Sequence, residues 1–342
     1  MKQEIPAKSL HTFCRTDMAS ELFSAHKRQS GKKENSFEEN GIQYHSHSDG
    51  GVEVERLCVE NEEGAALLQK SIGTYYTVHT GKLRLLTTEA YNSCVAALRH
   101  TLSDAITVLL GDSFSVPQAD GGLHGRRFSI FTVGLGNPEL TPDALGPLCV
   151  NALNVTRHLE GEASFARSLL DTVHIHAAFC PMVVGQTGIE TLELVQGAVR
   201  TVMPDLVILV DALAASEMRS LCRTVQISTT GIHPGGGIGN KRCSLDRETL
   251  GVPVMTVGVP TVISAATLIY RGLEASSLLP DAAEDAHPLT ARLIEVLEDS
   301  DMGFVSPKDI DCDVREFARL IAQVLNEIVL GESIAGEWFC RV

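Results

Sequence analysis

The chain has 342 residues, of which 44% are hydrophobic, and this is enough to form a sizeable core in one large domain or two. Its formal net charge of -15 argues against a nucleic-acid-binding surface, because contacts to phosphates need a basic patch. Nine cysteines without a CxxC spacing, no apolar run of membrane-spanning length and no signal-peptide core predict a soluble, cytoplasmic protein with reduced thiols.

Before residue 128 the sequence shows no regular succession of strand-like and helix-like segments. Residues 26–50 are rich in charged and small polar side chains, which predicts a mobile loop or arm. Apolar and charged residues alternate over 51–59, which predicts a short strand, and 72–78 is predicted to be another. Residues 83–110 are predicted to be mostly helical, and 112–127 to be an irregular connection rich in glycine.

From residue 128 onwards, strand-like and helix-like segments alternate. Strands are predicted over 128–133, 172–179, 206–210, 225–228 and 252–257. Helices are predicted over 142–159, 189–202, 261–270 and 307–330. Such alternation is typical of βαβ units, so we expect an α/β fold with a mostly parallel sheet flanked by helices.

Two aspartates are predicted to meet at one edge of this sheet. Asp143 lies in the segment VGLGNPELTPDALG at 133–146, and Asp211 follows the apolar run 206–210. The carboxyl ends of parallel strands share the edge where ligands collect. Two carboxylates held close there cannot both ionise easily, so one keeps a proton while the other stays charged. Aspartic proteases use such a pair as an acid and a base. The pair is therefore the candidate active site.

Each aspartate also has a purely structural interpretation. The segment TPD at 141–143 is a good helix start, with Thr as N-cap, Pro at the first position and Asp favoured by the helix dipole. The corresponding alternative for Asp211 is that it caps the segment that follows its strand. The glycines Gly134 and Gly136 lack the third glycine of a dinucleotide fingerprint, so no cofactor is predicted.

A glycine-rich loop over 230–240 is predicted to contact the substrate or an oxyanion. Its glycines let backbone amides approach a peptide closely, and two basic residues follow them. A Walker A interpretation fails because no Gly-Lys-Ser/Thr occurs at the required spacing, whereas a flexible surface loop is the alternative. The residues assigned to this loop are His233, Gly235, Gly236, Gly237, Lys241 and Arg242.

The histidine pairs are predicted to have structural or solvated roles. His174 and His176 lie two apart on a predicted strand, so they share a face and are potential metal ligands. His45 and His47 lie in the polar arm. Neither pair has a third ligand at a typical spacing, so no metal site is predicted.

Several distinctive segments occur together in one order along the chain. They are RTDMASE at 15–21, GLGNPELTPDALGP at 134–147, TRHL at 156–159, GQTGIET at 185–191, VDALAA at 210–215, GIHPGGGIGNKR at 231–242, ETLGVP at 248–253 and VSPKDID at 305–311. In this order they resemble the germination proteases of spore-forming bacteria, a family of atypical aspartic peptidases.

The resemblance implies an endopeptidase that starts the degradation of small acid-soluble spore proteins during germination, in the forespore or spore core. It also implies a homotetramer, made as a zymogen that removes its own N-terminal propeptide. The two essential aspartates of the family fall in the TPDALGP and VDALAA motifs, at Asp143 and Asp211 in this chain. No direct contact with nucleic acid or membrane is expected.

Two alternatives belong to other kinds of protein. The family fold is similar to that of the hydrogenase-maturation endopeptidases, which use a GxGN…D motif near a strand end to bind nickel in their substrate. The other alternative is a catalytically inactive binding or storage protein on the same scaffold, which the absence of either aspartate would favour. Asp143 and Asp211 are both present.

The N-terminus carries a predicted self-cleavage site. Segment 15–21 resembles the target in the family's substrates, where an acidic residue precedes a large apolar one followed by Ala-Ser-Glu. Cleavage is predicted between Asp17 and Met18, and the alternative is that Asp17 or Ser20 caps a short helix. The predicted division is a propeptide at 1–17, an N-terminal region with short strands and a helix at 18–127, and an α/β catalytic core with a C-terminal helix at 128–342.

Overall fold

The structure is a computed structural model that describes most of the chain. The described residues are 15–30, 36–117, 123, 126–161, 172–232, 244–276, 292, 295–296, 303–332 and 334–335. The strands are β1 Ser36–Glu39, β2 Ile42–Asp49, β3 Val52–Val59, β4 Gly73–His79, β5 Ser129–Gly134, β6 Ile175–Phe179, β7 Leu206–Ala215, β8 Thr224–Ser228, β9 Val254–Ser264 and β10 Phe304–Val305. The helices are α1 Ala19–Ser30, α2 Glu62–Leu68, α3 Thr88–Leu110, α4 Leu145–Asn151, α5 Val184–Thr187, α6 Thr191–Val202, α7 Arg247–Leu250, α8 Ala265–Ala275 and α9 Ile310–Leu330. Further 3-10 turns cover Leu83–Leu85, Thr141–Asp143 and Arg157–Gly161.

All ten strands belong to one mixed sheet. Its order is β1-β2-β3-β4-β8-β9-β7-β5-β6, and β10 pairs with β9. The pairings β5–β6, β5–β7 and β7–β9 are parallel. The other six pairings between these strands are antiparallel. The predicted α/β class is confirmed, but the expectation of a mostly parallel sheet is wrong, because an antiparallel meander continues the parallel strands through β8.

The predicted mobile loop or arm at 26–50 is also wrong for its described residues, 26–30 and 36–50. Helix α1 covers its start, and β1 and β2 form a hairpin around Asn40 and Gly41, both with positive φ. Phe23 of α1 packs in a small core with Phe37 and Tyr44, with ring centroids 5.3 and 4.5 Å apart. A few apolar residues, widely spaced in the sequence, therefore suffice to fix α1 and the hairpin of β1 and β2.

The parallel strands are covered on both faces, which explains their apolar sequences. Along β7, Ile208 and Val210 face the large core that includes α3 and α9. Val207 and Leu209 face a second core beneath α6. Every strand predicted from the sequence overlaps a strand of the sheet. Strands buried on one face show alternating apolar residues and strands buried on both faces show continuous apolar runs, and both patterns can be recognised in the sequence.

The largest boundary error falls next to the candidate site. The predicted helix over 142–159 is instead the turn Thr141–Asp143, helix α4 and the turn Arg157–Gly161. Helix α4 ends at Asn151, and five residues later the amide of Thr156 donates to the carbonyl of His176 in β6 at 2.9 Å. Strand β7 continues to Ala215, five residues beyond its predicted end, so Asp211 lies inside the strand.

Helix α3 is long and apolar enough to cross a membrane by length and composition alone. Its buried residues, among them Leu98, Leu102 and Ile106, belong to the large core that covers the sheet. Core helices meet the same criterion of length and composition.

Candidate active site

Asp211 lies where β7 leaves its neighbour β5. The last pairing of the two strands joins Gly134 to Val210, and Asp211 is the next residue. On its other side β7 continues beside β9, where Asp211 pairs with Gly258. The residue is 8% exposed, so a carboxyl group is enclosed at the end of the parallel strands. Its Oδ1 accepts a hydrogen bond from the amide of Ala212 at 3.0 Å.

The loop after β5 brings Asp143 to the same place. The amide of Leu135 donates to the carbonyl of Val210 at 2.8 Å, which fixes the start of the loop on β7. The amide of Asn137 donates to Oδ2 of Asp143 at 2.7 Å, and Thr261 of β9 donates to the carbonyl of Pro142 at 2.7 Å. The turn that carries Asp143 is therefore bound to β7 and β9.

Gly136 makes this close approach possible. Its φ is +113°, a backbone conformation that residues with a side chain rarely adopt. A Cβ atom at this position would overlap the carbonyl oxygen of Asp143. The predicted capping role of 141–143 is not seen, because the 3-10 turn has no side-chain cap and the Asp143 carboxylate binds the amide of Asn137.

The structure gathers Asp143, Asp211 and Asp17 at one site. Burial raises the pKa of Asp211 well above its ordinary value of 3.8, and the charges of Asp143 and Asp17 raise it further. The hydrogen bond from Ala212 opposes this shift in pKa. The two sequence-predicted aspartates are thus close enough to interact, and Asp211 favours its protonated form.

The N-terminal segment lies along the edge of β7 that is left free where the pairing of β7 with β5 ends. The amide of Asp17 donates to the carbonyl of Ala214 at 2.8 Å, and the amide of Ala214 donates to Oδ2 of Asp17 at 2.8 Å. Met18 and Ala19 are buried, and α1 begins at Ala19. The predicted cleavage site therefore sits beside the strand that carries Asp211.

Glu21 anchors the other end of this segment. Its buried carboxylate accepts hydrogen bonds from the hydroxyl of Thr16 at 2.6 Å and from the amide and hydroxyl of Ser216 at 2.6 and 2.8 Å. The amide of Glu217 donates to it at 3.2 Å. These donors stabilise the buried charge and tie α1 to the chain that follows β7.

Two residues that the sequence did not reveal contact the predicted scissile peptide. Lys70 Nζ donates to the carbonyl oxygen of Asp17 at 2.8 Å, and Nε2 of Gln226 donates to the same oxygen at 3.1 Å. Gln226 Oε1 accepts from the amide of Ala19 at 2.6 Å. The only sequence signal for these contacts is Gln226 itself, a large polar residue between Val225 and Ile227 in a strand that is buried throughout.

The residues assigned to the glycine-rich loop, His233, Gly235, Gly236, Gly237, Lys241 and Arg242, lie outside the described residues. The base of the loop is described. Ile232 and Leu245 exchange two backbone hydrogen bonds, at 3.0 and 2.8 Å. Both side chains pack in the core beneath α6, together with Leu135 from the start of the Asp143 loop. The loop thus begins and ends on the same core as the Asp143 loop.

His174 and His176 make structural hydrogen bonds. His174 Nδ1 accepts from the amide of Phe128 at 3.2 Å, and its Nε2 donates to the carbonyl of Ser115 at 2.9 Å. His176 Nδ1 donates to the carbonyl of Asn154 at 3.0 Å. Burial lowers the pKa of both histidines to about 4, so both are neutral at pH 7. The described parts of the chain contain no group of three or more residues arranged to hold a metal ion.

A mixed α/β sheet with interacting carboxylates at the end of its parallel strands defines an enzyme-like site suited to acid–base chemistry. Residues 18–274 match a peptidase family described as "Germination protease". The chain is 32% identical to the germination protease of Clostridium acetobutylicum over 326 residues, covering 91% of this chain and 94% of that protein. It is 39% identical to the germination protease of Bacillus pumilus over 229 residues, covering 67% of this chain and 57% of that protein.

The chain therefore belongs to the germination protease family. Membership makes it a peptidase, a hydrolase of the kind associated with spore germination. The resemblance of the distinctive segments to this family is confirmed.

Proposed function

We propose that this protein is an endopeptidase that starts the degradation of small acid-soluble spore proteins during germination. Family membership supports the peptidase activity. The observation that carries the proposal is Asp211, a buried carboxyl group whose pKa is raised by burial and by the neighbouring Asp143. An acid that keeps its proton beside a second carboxylate is the arrangement by which aspartic proteases hydrolyse peptides without a nucleophilic side chain.

In the proposed mechanism, Asp143 is the base and Asp211 the acid. The Asp143 carboxylate, oriented by the amide of Asn137, takes a proton from a water molecule. The water oxygen bonds to the scissile carbonyl carbon, and the carbonyl oxygen becomes negatively charged. When the C–N bond breaks, the proton held by Asp211 passes to the leaving nitrogen. The proton on Asp143 then passes to Asp211, which restores the starting state of a pair that titrates as a unit.

The proposal includes self-processing between Asp17 and Met18. Its support is the segment itself, which is hydrogen-bonded to Ala214 three residues after Asp211 and contributes a carboxylate that raises the pKa of Asp211. A propeptide in this position hinders access to the pair, which keeps the zymogen inactive until it is cleaved. We include in the proposal, from the family resemblance, a homotetramer in the forespore or spore core.

Incubation of the purified protein with a small acid-soluble spore protein tests the proposal. We expect mass mapping to find cleavage after an acidic residue that precedes a large apolar residue and Ala-Ser-Glu. N-terminal sequencing of the matured enzyme should give Met18 as its first residue. A spore protein that stays intact, or cleavage at unrelated sequences, would contradict the proposal. Asp143→Asn and Asp211→Asn should be inactive in this assay, and Asp104→Asn, at an exposed position of α3, is their matched control.

A further inference from the structure

The carbonyl of Asp17 has an unusual environment for a backbone oxygen outside regular structure. It accepts hydrogen bonds from two side chains, Lys70 Nζ at 2.8 Å and Gln226 Nε2 at 3.1 Å. The donors come from different parts of the fold, since Lys70 lies between α2 and β4 whereas Gln226 lies in β8. Both lone pairs of this one oxygen are therefore occupied by side-chain donors.

Gln226 holds the peptide on both sides of Met18. Its Nε2 donates to the carbonyl before Met18, and its Oε1 accepts from the amide of Ala19 at 2.6 Å. These two partners determine the orientation of the side-chain amide, because only a nitrogen can donate to a carbonyl and only an oxygen can accept from an amide. The residue is 7% exposed, so water competes little for either bond.

The end of α2 positions Lys70. Gln69 ends the helix in the left-handed conformation, with φ 50°, and the amide of Lys70 donates to the carbonyl of Ala65 at 3.2 Å. The ammonium group then faces the N-terminal segment, where the charged groups acting on it are the carboxylates of Asp17 and Glu21. Burial lowers the pKa of Lys70, and these two carboxylates oppose the shift. A cation thus points at the oxygen of one particular peptide bond.

We infer that Lys70 and Gln226 are catalytic residues that polarise the Asp17 carbonyl and stabilise its oxygen when cleavage of the Asp17–Met18 bond makes it negative. This inference rests on the proposed self-processing at that bond. Water addition forms a bond between oxygen and carbon while the π electron pair moves to the carbonyl oxygen. Two fixed donors, one of them charged, then stabilise the oxyanion in a partly buried site. The proton on Asp211 consequently serves the leaving nitrogen of Met18.

Two variants remove the donors while changing little else. Lys70→Met keeps an unbranched stem without an ammonium group. Gln226→Glu keeps an oxygen that accepts from Ala19 but, when ionised, cannot donate to the Asp17 carbonyl. Loss of one oxyanion donor commonly lowers kcat by about 10²–10³-fold, so we expect each variant to slow the first-order appearance of chains beginning at Met18 by about 10²-fold or more. Lys82→Met is the control for loss of a lysine.

The pH dependence of Gln226→Glu tests whether the donor to the Asp17 carbonyl is what cleavage needs. At low pH the carboxyl introduced by this substitution binds a proton and regains an O–H donor. The ratio of variant to wild-type processing rate should therefore rise as the pH falls, whereas the ratio for Lys70→Met should not. Lys70→Arg, which keeps a cation with N–H donors, should recover part of the rate. Rate ratios that stay flat with pH would overturn the oxyanion role of Gln226.

A second assay uses a separate substrate and the matured enzyme. With a spore protein supplied in trans, loss of oxyanion stabilisation lowers kcat, whereas loss of anchoring alone raises KM. Thermal unfolding is measured for every variant, and Lys70→Leu, which also lacks a side-chain donor, replaces Lys70→Met if the latter does not fold.

The results distinguish failure of this inference from failure of the proposed function. Wild-type rates in Lys70→Met and Gln226→Glu, with Asp143→Asn inactive, would overturn the inference and leave self-processing intact. Processing of Asp143→Asn, or a new N-terminus far from Met18, would instead remove the proposed self-processing. A change confined to KM in trans would also overturn the inference, because it would assign both residues to anchoring.

Discussion

The parallel and antiparallel parts of the sheet bring different groups to the candidate site. The parallel strands β5 and β7 end beside each other and supply Asp143, through its loop, and Asp211. The antiparallel part supplies Gln226 from β8 and Lys70 from the connection that enters β4. The carboxylates capable of acid–base chemistry thus come from one part, and the donors that hold the peptide come from the other.

The N-terminal segment lies across the junction of the two parts. Asp17 is hydrogen-bonded to Ala214 on the parallel side and, through its carbonyl, to Gln226 on the antiparallel side. The mixed sheet accounts for the whole site, because the ends of the parallel strands alone would leave the Asp17 carbonyl without its side-chain donors. Variants in the two parts should therefore separate the acid–base step of cleavage from the positioning of the peptide.

The largest effect is expected from the carboxylate pair. Asp143→Asn and Asp211→Asn should each lower peptide cleavage by on the order of 10⁴-fold, because groups that act as a unit lose their function together. The fold should persist, since each substitution keeps the shape of the side chain. Self-processing and spore-protein cleavage are measured beside the unfolding temperature. Full activity in either folded variant would remove that residue from the mechanism.

Gly136→Ala should damage the placement of Asp143. A residue with a side chain at φ +113° costs about 1–3 kcal/mol, and the overlap of the new Cβ with the Asp143 carbonyl adds to that cost. We expect a lower unfolding temperature together with slower cleavage. Gly185→Ala, whose Cβ would meet nothing within 4 Å, should change neither quantity. An active Gly136→Ala of normal stability would show that the loop adjusts without cost.

Glu21→Gln tests the anchoring of the N-terminal segment. The glutamine oxygen can still accept from Thr16 and Ser216, but the bonds are no longer assisted by charge, so each should weaken by about 1–1.5 kcal/mol. Denaturant unfolding should show a loss of about this size, and self-processing should slow. Glu62→Gln, at an exposed position of α2, is the control. Unchanged self-processing would mean that Glu21 does not place the scissile bond.

Asp211→Asn should also stabilise the folded protein at neutral pH. Because the folded-state pKa of Asp211 is raised, the native state binds more protons than the unfolded state between pH 3.8 and that raised pKa. Stability therefore falls as the pH rises through this window, and the asparagine variant lacks this loss. The variant should unfold at a higher temperature near pH 7, and the difference should vanish below pH 3.8. A variant less stable than the wild type at pH 7 would contradict the assigned direction of the shift in pKa.

The sequence predicts the parallel strands well because burial on both faces leaves apolar runs such as 206–210. It fails for β1 and β2, where Phe37 is the only buried residue of β1 and exposed polar residues hide the strand. The turn at Asn40 and Gly41 was an available hairpin signal. Edge strands with few buried positions are therefore the part of this fold that pattern alone does not predict.

The meeting of Asp143 and Asp211 is predictable because each follows a parallel strand, and no knowledge of the strand register is needed. The contacts of Lys70 and Gln226 are not predictable in this way, because these residues lie 53 and 209 residues from Asp17 along the chain. Their contact with one carbonyl depends on the pairing of β4 with β8 and on the path of the N-terminal segment. Neither the strand pairing nor this path can be read from the spacing of nearby residues. The sequence therefore predicts the two aspartates but not the side chains that donate to the Asp17 carbonyl.

The smallest effect is expected from chelation, which should leave cleavage of a spore protein unchanged. The proposed carboxylate pair activates water directly and needs no Lewis acid. Both ring nitrogens of His176 are engaged, by the carbonyl of Asn154 and the hydroxyl of Thr132, so this histidine is poorly placed to bind metal. A maturation-type endopeptidase would instead need nickel in its substrate. Activity that chelation abolishes and one added ion restores would overturn the assignment of water activation to Asp143 and Asp211 alone.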